Sequence, residues 1–152
     1  MRLDGLSKLS VWILFTVTLF SSVGFGKDDP NPEEKMKIKV TVGQRALTAT
    51  LLDSETSRAF VSMLPLVLNM KDYAGTEKVG DLPNKLPTTS APAGYDPSIG
   101  DITYYAPWGN LAVFYRDFGY AQGLVKLGRF DQEIDLLVEM KGEFEAIVER
   151  VE

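Results

Sequence analysis

The chain reads as a mainly β protein whose sheet closes, or nearly closes, into a barrel capped by one or two short helices. Three observations predict this. Apolar and polar residues alternate both near residue 36 and again near residue 144. Two aromatic, β-branched runs, DITYY at 101–105 and LAVFY at 111–115, flank the turn sequence APWGN. Helical spacing occurs in only two places, and both stretches are short. Strands that open and close a domain leave bare edges, and closing the sheet removes them.

Each element has its own signal. Met36, Ile38, Val40 and Val42 alternate with Lys37, Lys39 and Thr41, the period-two pattern of a half-buried strand. Gly43-Gln44 turns the chain, and Leu47, Ala49 and Leu51 continue the alternation on a return strand, completing a hairpin. Asp53 or Ser54 can cap a helix of about ten residues, in which Ala59, Phe60, Met63 and Leu64 recur at three- and four-residue spacing and which Pro65 ends. Leu66, Leu68 and Met70 resume a strand. Residues 71–100 are rich in Gly, Pro, Asn, Asp and Thr, and are expected to wrap the surface with brief strands inside them.

The two aromatic runs form a hairpin. Residues 117–123 are a loop, and Val125–Phe130 is a strand containing Gly128. In 132–140, Ile134, Leu137 and Val138 share one side of a short helix or turn. Phe144, Ala146 and Val148 alternate with glutamates in a closing strand. No internal repeat is visible.

The first 26 residues have the composition of a signal peptide. Arg2 and Lys8 charge its start, and Leu9–Phe20 is a 12-residue apolar stretch, too short to span a bilayer. Ser22, Gly24 and Gly26 follow, so cleavage after Gly24 or Gly26 places small side chains at the recognition positions. A buried N-terminal helix and an uncleaved anchor are the alternatives. Residues 27–35 (KDDPNPEEK) read as a solvated linker, leaving 36–152 as one domain. Export to the periplasm or medium is therefore expected, with no membrane association beyond the leader.

The 152 residues carry a formal charge of −5; the leader holds two cations against Asp4, so the remainder is at −6. That sign repels phosphate backbones, and no Lys/Arg stripe overrides it, so nucleic acid is not an expected partner. There is no Cys and no His. Disulfides, a lipid-bearing cysteine, the usual zinc, haem and iron–sulfur ligands, and Ser-His or Cys-His nucleophile pairs are thereby excluded. The acidic run Asp28, Asp29, Glu33, Glu34 lacks the spaced ligands and central Gly of a calcium loop. No metal is expected.

The opening Met-Lys-Ile-Lys strand, AFVSMLPLVLNM at 59–70, GDITYYAPWGNLAVFY at 100–115 and Leu-Gly-Arg at 127–129 together resemble the bacterial cyclophilin-like domain family. The resemblance runs from about Met36 to Val151 and implies an eight-stranded barrel capped by helices, in agreement with the strands read above. True cyclophilins are prolyl isomerases. The resemblance implies an arginine aimed at the prolyl nitrogen, within a Phe-His-Arg motif after the first helix, with Gln-Gly-Gly-Asp soon after. Here the matching stretch, Met63–Met70, has no Arg, His or Gln, so that residue does not carry over and no catalytic residue is assigned. Family members sometimes accompany flavodoxin-type domains. This chain has no Gly-rich strand–turn–helix phosphate site, so neither flavin nor any other cofactor is expected.

The candidate ligand-binding residues are Tyr105, Trp108, Tyr115, Arg116, Tyr120 and Arg129. Trp108, in a Pro-Trp-Gly turn, is either a stacking residue or a plug folded over the barrel mouth. Alternation sends Tyr104 and Tyr105 to opposite faces, and likewise Phe114 and Tyr115, so one of each pair is free to line a groove. Arg116, Arg129 and Arg58 are the cations available to a ligand, each a surface residue or half of an ion pair otherwise. Tyr120 and Gln122 matter only where their loop borders a pocket. The reading favoured is a non-catalytic module with a shallow cleft near Tyr105, Trp108, Tyr115 and Arg129 for a peptide or small molecule. The alternative is a prolyl isomerase whose arginine has moved to Arg116 or Arg129.

Overall fold

The computed structural model describes residues 36–151; the leader and linker read above lie outside them. Ten strands and two helices follow one another in this region. The strands are β1 (Lys37–Val42), β2 (Arg45–Leu51), β3 (Leu66–Tyr73), β4 (Glu77–Asp81), β5 (Gly94–Tyr95), β6 (Asp101–Tyr105), β7 (Asn110–Phe114), β8 (Ala121–Gln122), β9 (Leu124–Phe130) and β10 (Phe144–Arg150). The helices are α1 (Glu55–Ser62) and α2 (Asp135–Glu139). Eight strands close an antiparallel barrel in the order β1-β10-β3-β4-β7-β6-β9-β2, and β5 pairs with β8 in a separate two-stranded sheet. The expected closed barrel with two short helices is what the chain forms.

Alternation decides what fills the barrel. Ile38, Val40, Leu47, Ala49, Leu68, Met70, Ile102, Tyr104, Leu111, Val113, Ala146 and Val148 are buried in one cluster. The void left among them is only about 20 Å³, room for about one water, so the interior is packed core with no room for a ligand. α1 is capped by the Ser54 side chain, which accepts from the Ser57 N–H at 3.1 Å, and it buries Phe60 completely. α1 precedes β3 and α2 precedes β10. Because those strands run antiparallel, the helices lie at opposite ends of the barrel.

Two expectations are corrected. Residues 71–100 are not all surface wrapping: β3 runs on to Tyr73, and β4 is a full barrel strand pairing β3 with β7. Its sequence, EKVGD, hides this because alternation turns Lys78 inward. There its ammonium donates to Asp72 Oδ1 at 2.9 Å and to the Met140 carbonyl at 3.0 Å, and lies 5.1 Å from the Tyr115 ring centre. In α2 it is Leu136, with Ile134 and Leu137, that is buried, while Val138 stays exposed. The single turn of helix faces the barrel end through 136 and 137.

The outer face of β4, β7, β6 and β9 is also apolar. Val79, Ala112, Phe114 and Leu124 form a second buried cluster against which Tyr95, Tyr105 and Ala121 pack. The β5–β8 sheet supplies Tyr95 and Ala121. Fully buried Asp101 anchors it, accepting from the Tyr95 hydroxyl (2.8 Å), the Ser98 N–H (2.9 Å), Lys126 (3.0 Å) and Arg129 (3.3 Å). Among the described residues no helix is long and apolar enough to cross a membrane.

Candidate functional site

The β6–β7 turn raises Trp108 above this outer face. The Tyr105 carbonyl accepts from the N–H groups of Trp108 (3.3 Å) and Gly109 (2.9 Å), and Gly109 takes the left-handed conformation, φ +73°, that the tight return requires. Trp108 remains 55% exposed. Two tyrosines fix its ring edge-to-face: Tyr73 from the end of β3 at 5.3 Å and 81°, and Tyr105 at 5.2 Å and 83°. The indole therefore does not plug the barrel mouth. It stands as a ridge between two hollows.

The first hollow, about 250 Å³, is lined by Tyr73, Trp108, Tyr105, Phe114, Phe118 and Glu77, with smaller residues between them. Sheet register builds it: Tyr73 pairs with Glu77 across β3–β4, and Glu77 with Phe114 across β4–β7, so one carboxylate lies between two rings on the same face. Phe118, in the loop after β7, extends the wall, 6.1 Å from Phe114. Burial raises the Glu77 carboxyl above its ordinary pKa.

The second hollow, about 560 Å³, shares Tyr73 and Trp108 but is polar, with Asn69, Lys71, Asp81 and Asn110 around it. Asn110 is 4% exposed, and among the described residues nothing donates to its buried Oδ1. A buried acceptor left alone is costly, and this one is closed off from the hollow itself.

The structure brings together only some of the residues singled out from sequence. Tyr105 and Trp108 share the aromatic hollow. Tyr115 and Arg129 instead line a separate groove of about 710 Å³ beside α2, where Arg129 is engaged by Asp101. Tyr115 turns toward the barrel end and donates to Asp72 Oδ1 at 2.6 Å. Burial and that bond push its hydroxyl up to about 12. Arg116 is exposed and lines neither hollow, and Arg58 pairs with Asp53. Tyr120 is exposed and lies over Gly94, outside both hollows. No arginine lines the aromatic hollow. Tyr73, Glu77, Phe118 and Asn110 were missed. The period-two run Val67, Asn69, Lys71, Tyr73 was the available signal for the first.

The family model of the cyclophilin-like family matches residues 40–149, which is the barrel almost entire. The chain belongs to the cyclophilin-like family. Among solved structures it is similar to the solution structure of a hypothetical protein from Archaeoglobus fulgidus, at 18% identity and a TM-score of 0.56. That match covers 77% of this chain and 95% of the other. No curated protein matches the chain. In this cyclophilin-like barrel the strand after α1 presents Val67, Asn69, Lys71 and Tyr73 outward, so the outer face beside the aromatic hollow has no guanidinium from β3.

Proposed function

We propose that this cyclophilin-like protein is exported and binds a peptide or small ligand in the paired hollows astride Trp108, without catalysing prolyl isomerisation. One observation carries the reading: a tryptophan held rigid by two tyrosines yet more than half exposed, between an apolar hollow and a polar one. Preorganised aromatic surface costs little entropy on binding, and neighbouring polar groups give orientation. Asn69, Lys71 and Asp81 supply those groups on the polar side. The isomerase alternative lacks support, since Arg129 is spent on Asp101 in another groove and Arg116 borders neither hollow.

A Trp12→Phe chain leaves Trp108 as the sole indole, so its emission reports the site directly. Titration with proline-containing peptides and small metabolites is expected to give a saturable shift that Lys71→Met weakens about tenfold, on the order of 1.5 kcal/mol for one charge-assisted hydrogen bond. No response across the panel, by emission and by calorimetry, rejects the binding reading. Accelerated isomerisation of a proline peptide that vanishes on replacing Arg116 or Arg129 installs the alternative. Export is checked by N-terminal sequencing of the protein recovered outside the cytoplasm: a chain still beginning at Met1 rejects cleavage.

A further inference from the structure

Glu77 is the one charged group lining the aromatic hollow, and it has no partner there. Its carboxylate makes no hydrogen bond or ion pair among the described residues, no Lys or Arg lines the hollow, and burial alone accounts for its raised pKa. Around it stand the rings of Tyr73, Tyr105, Trp108, Phe114 and Phe118, with Trp108 nearly perpendicular to two of them. The Glu77 carboxylate makes the hollow negative, and each ring face turned toward it adds the negative side of its quadrupole, within a wall that is otherwise apolar.

A neutral apolar group entering this hollow would strip more water from Glu77 and return nothing to its charge. A compact cation with an apolar shell satisfies both parts of the wall. We infer that the aromatic hollow takes an organic ammonium group, either the head of a small quaternary amine or the methylated amine of a lysine side chain. The volume of about 250 Å³ admits such a group with room for its tether. The remaining charge of the chain works in the same direction, because a net −5 protein draws cations toward it. The inference rests on the proposed binding site and adds the chemical class of its occupant.

The test uses the full Trp12→Phe chain and three probes followed by Trp108 emission: choline, a short peptide carrying trimethylated lysine, and 3,3-dimethylbutanol, which has choline's shape without its charge. Choline or the peptide is expected to bind at least tenfold more tightly than the neutral alcohol. Whichever of the two binds more tightly identifies a free or a side-chain ammonium. Glu77→Gln is expected to shrink that ratio from both sides, weakening the cations and, by removing the charge a neutral guest must desolvate, leaving the alcohol bound no more weakly than before. Equal affinity for choline, peptide and alcohol overturns the cation assignment and leaves the site standing as a neutral-ligand cleft. Silence toward both cations overturns it too, whatever other ligands the site accepts. These comparisons are made on the Glu77 protein, so they decide the matter even where Glu77→Gln fails to fold.

Discussion

Replacing Asp72 by Asn tests how the barrel tolerates a lysine in its interior. The Lys78 side chain is 3% exposed and that of Asp72 39% exposed, with 2.9 Å between ammonium and carboxylate. Breaking a fully buried pair costs about 3–5 kcal/mol, because the remaining charge is left uncompensated. Water reaches Asp72, so its Coulomb share moves toward the surface value of up to about 1 kcal/mol, while the lost charge-assisted hydrogen bond contributes about 1.5 kcal/mol. Asp72→Asn is therefore expected to destabilise by about 2–3 kcal/mol. Lys78→Met removes the desolvated ammonium itself and fills the same volume. Asp72 stays hydrated and keeps the Tyr115 hydroxyl, and the chief loss is the donor to the Met140 carbonyl, about 1 kcal/mol. Urea unfolding followed by circular dichroism, with m-values checked for constancy, gives both numbers. The refuting result is Lys78→Met costing as much as Asp72→Asn, which would make the pair a net stabiliser and not a buried charge kept tolerable by its partner.

Two further outcomes are expected. Gly128→Ala should cost about 1–3 kcal/mol in the same assay, since a methyl there would overlap the Thr50 carbonyl oxygen and lie 2.7 Å from Leu51 Cα, both backbone atoms with nowhere to move. A wild-type-like midpoint would mean that β2 and β9 separate more easily than their pairing suggests. Tyr115→Phe should flatten the alkaline limb of the stability–pH curve. With its hydroxyl pushed from 10 to about 12 by burial and by Asp72, the folded state keeps the proton longer than the unfolded chain. That contribution is complete below pH 10 and lost between pH 10 and about pH 12. An unchanged slope in that window in the variant would show that the shift lies elsewhere.

The barrel was legible wherever alternation put hydrocarbon inside. β1, β2 and β10 follow the period-two rule, β6 and β7 show themselves as aromatic and β-branched runs buried on both faces, and α1 begins at the cap its Ser54 announces. β4 broke the rule at two of its five positions. Lys78 faces inward, made tolerable by Asp72, which is six residues away in sequence, and by Met140, which is 62 away. Gly80 sits where any side chain would collide with the Met70 sulfur. Neither compensation is visible in a local window. The candidate site divides in the same way. Trp108 and Tyr105 were readable because a hairpin places them near each other within a few residues. Tyr73 and Glu77 join them only through the β3–β4–β7 register, a non-local fact. Tyr115 and Arg129 were grouped with Trp108 because facing was judged from neighbours in sequence. In the fold, the β7 pleat sends Phe114 to the outer cluster and Tyr115 to the barrel end.

A barrel filled to within about 20 Å³ confines the proposed binding to its outer surface, and the position of the aromatic hollow follows from how that surface is covered. The outer faces of β4, β7, β6 and β9 are apolar through Val79, Ala112, Phe114 and Leu124, a second core that needs a lid. The β5–β8 sheet roofs part of it through Tyr95 and Ala121, pinned by Tyr95 to Asp101, while Tyr105 of β6 covers more. Had Trp108 and Tyr73 merely completed the roof, they would be buried as Tyr104 is, at 1% exposure and with its hydroxyl accepting the Leu86 N–H. Instead they stand exposed, braced against each other, with Glu77 next to Tyr73 in the register and no Lys or Arg lining the hollow they share. On the proposed reading, the occupant of the hollow completes the cover that the β5–β8 sheet begins over this second cluster.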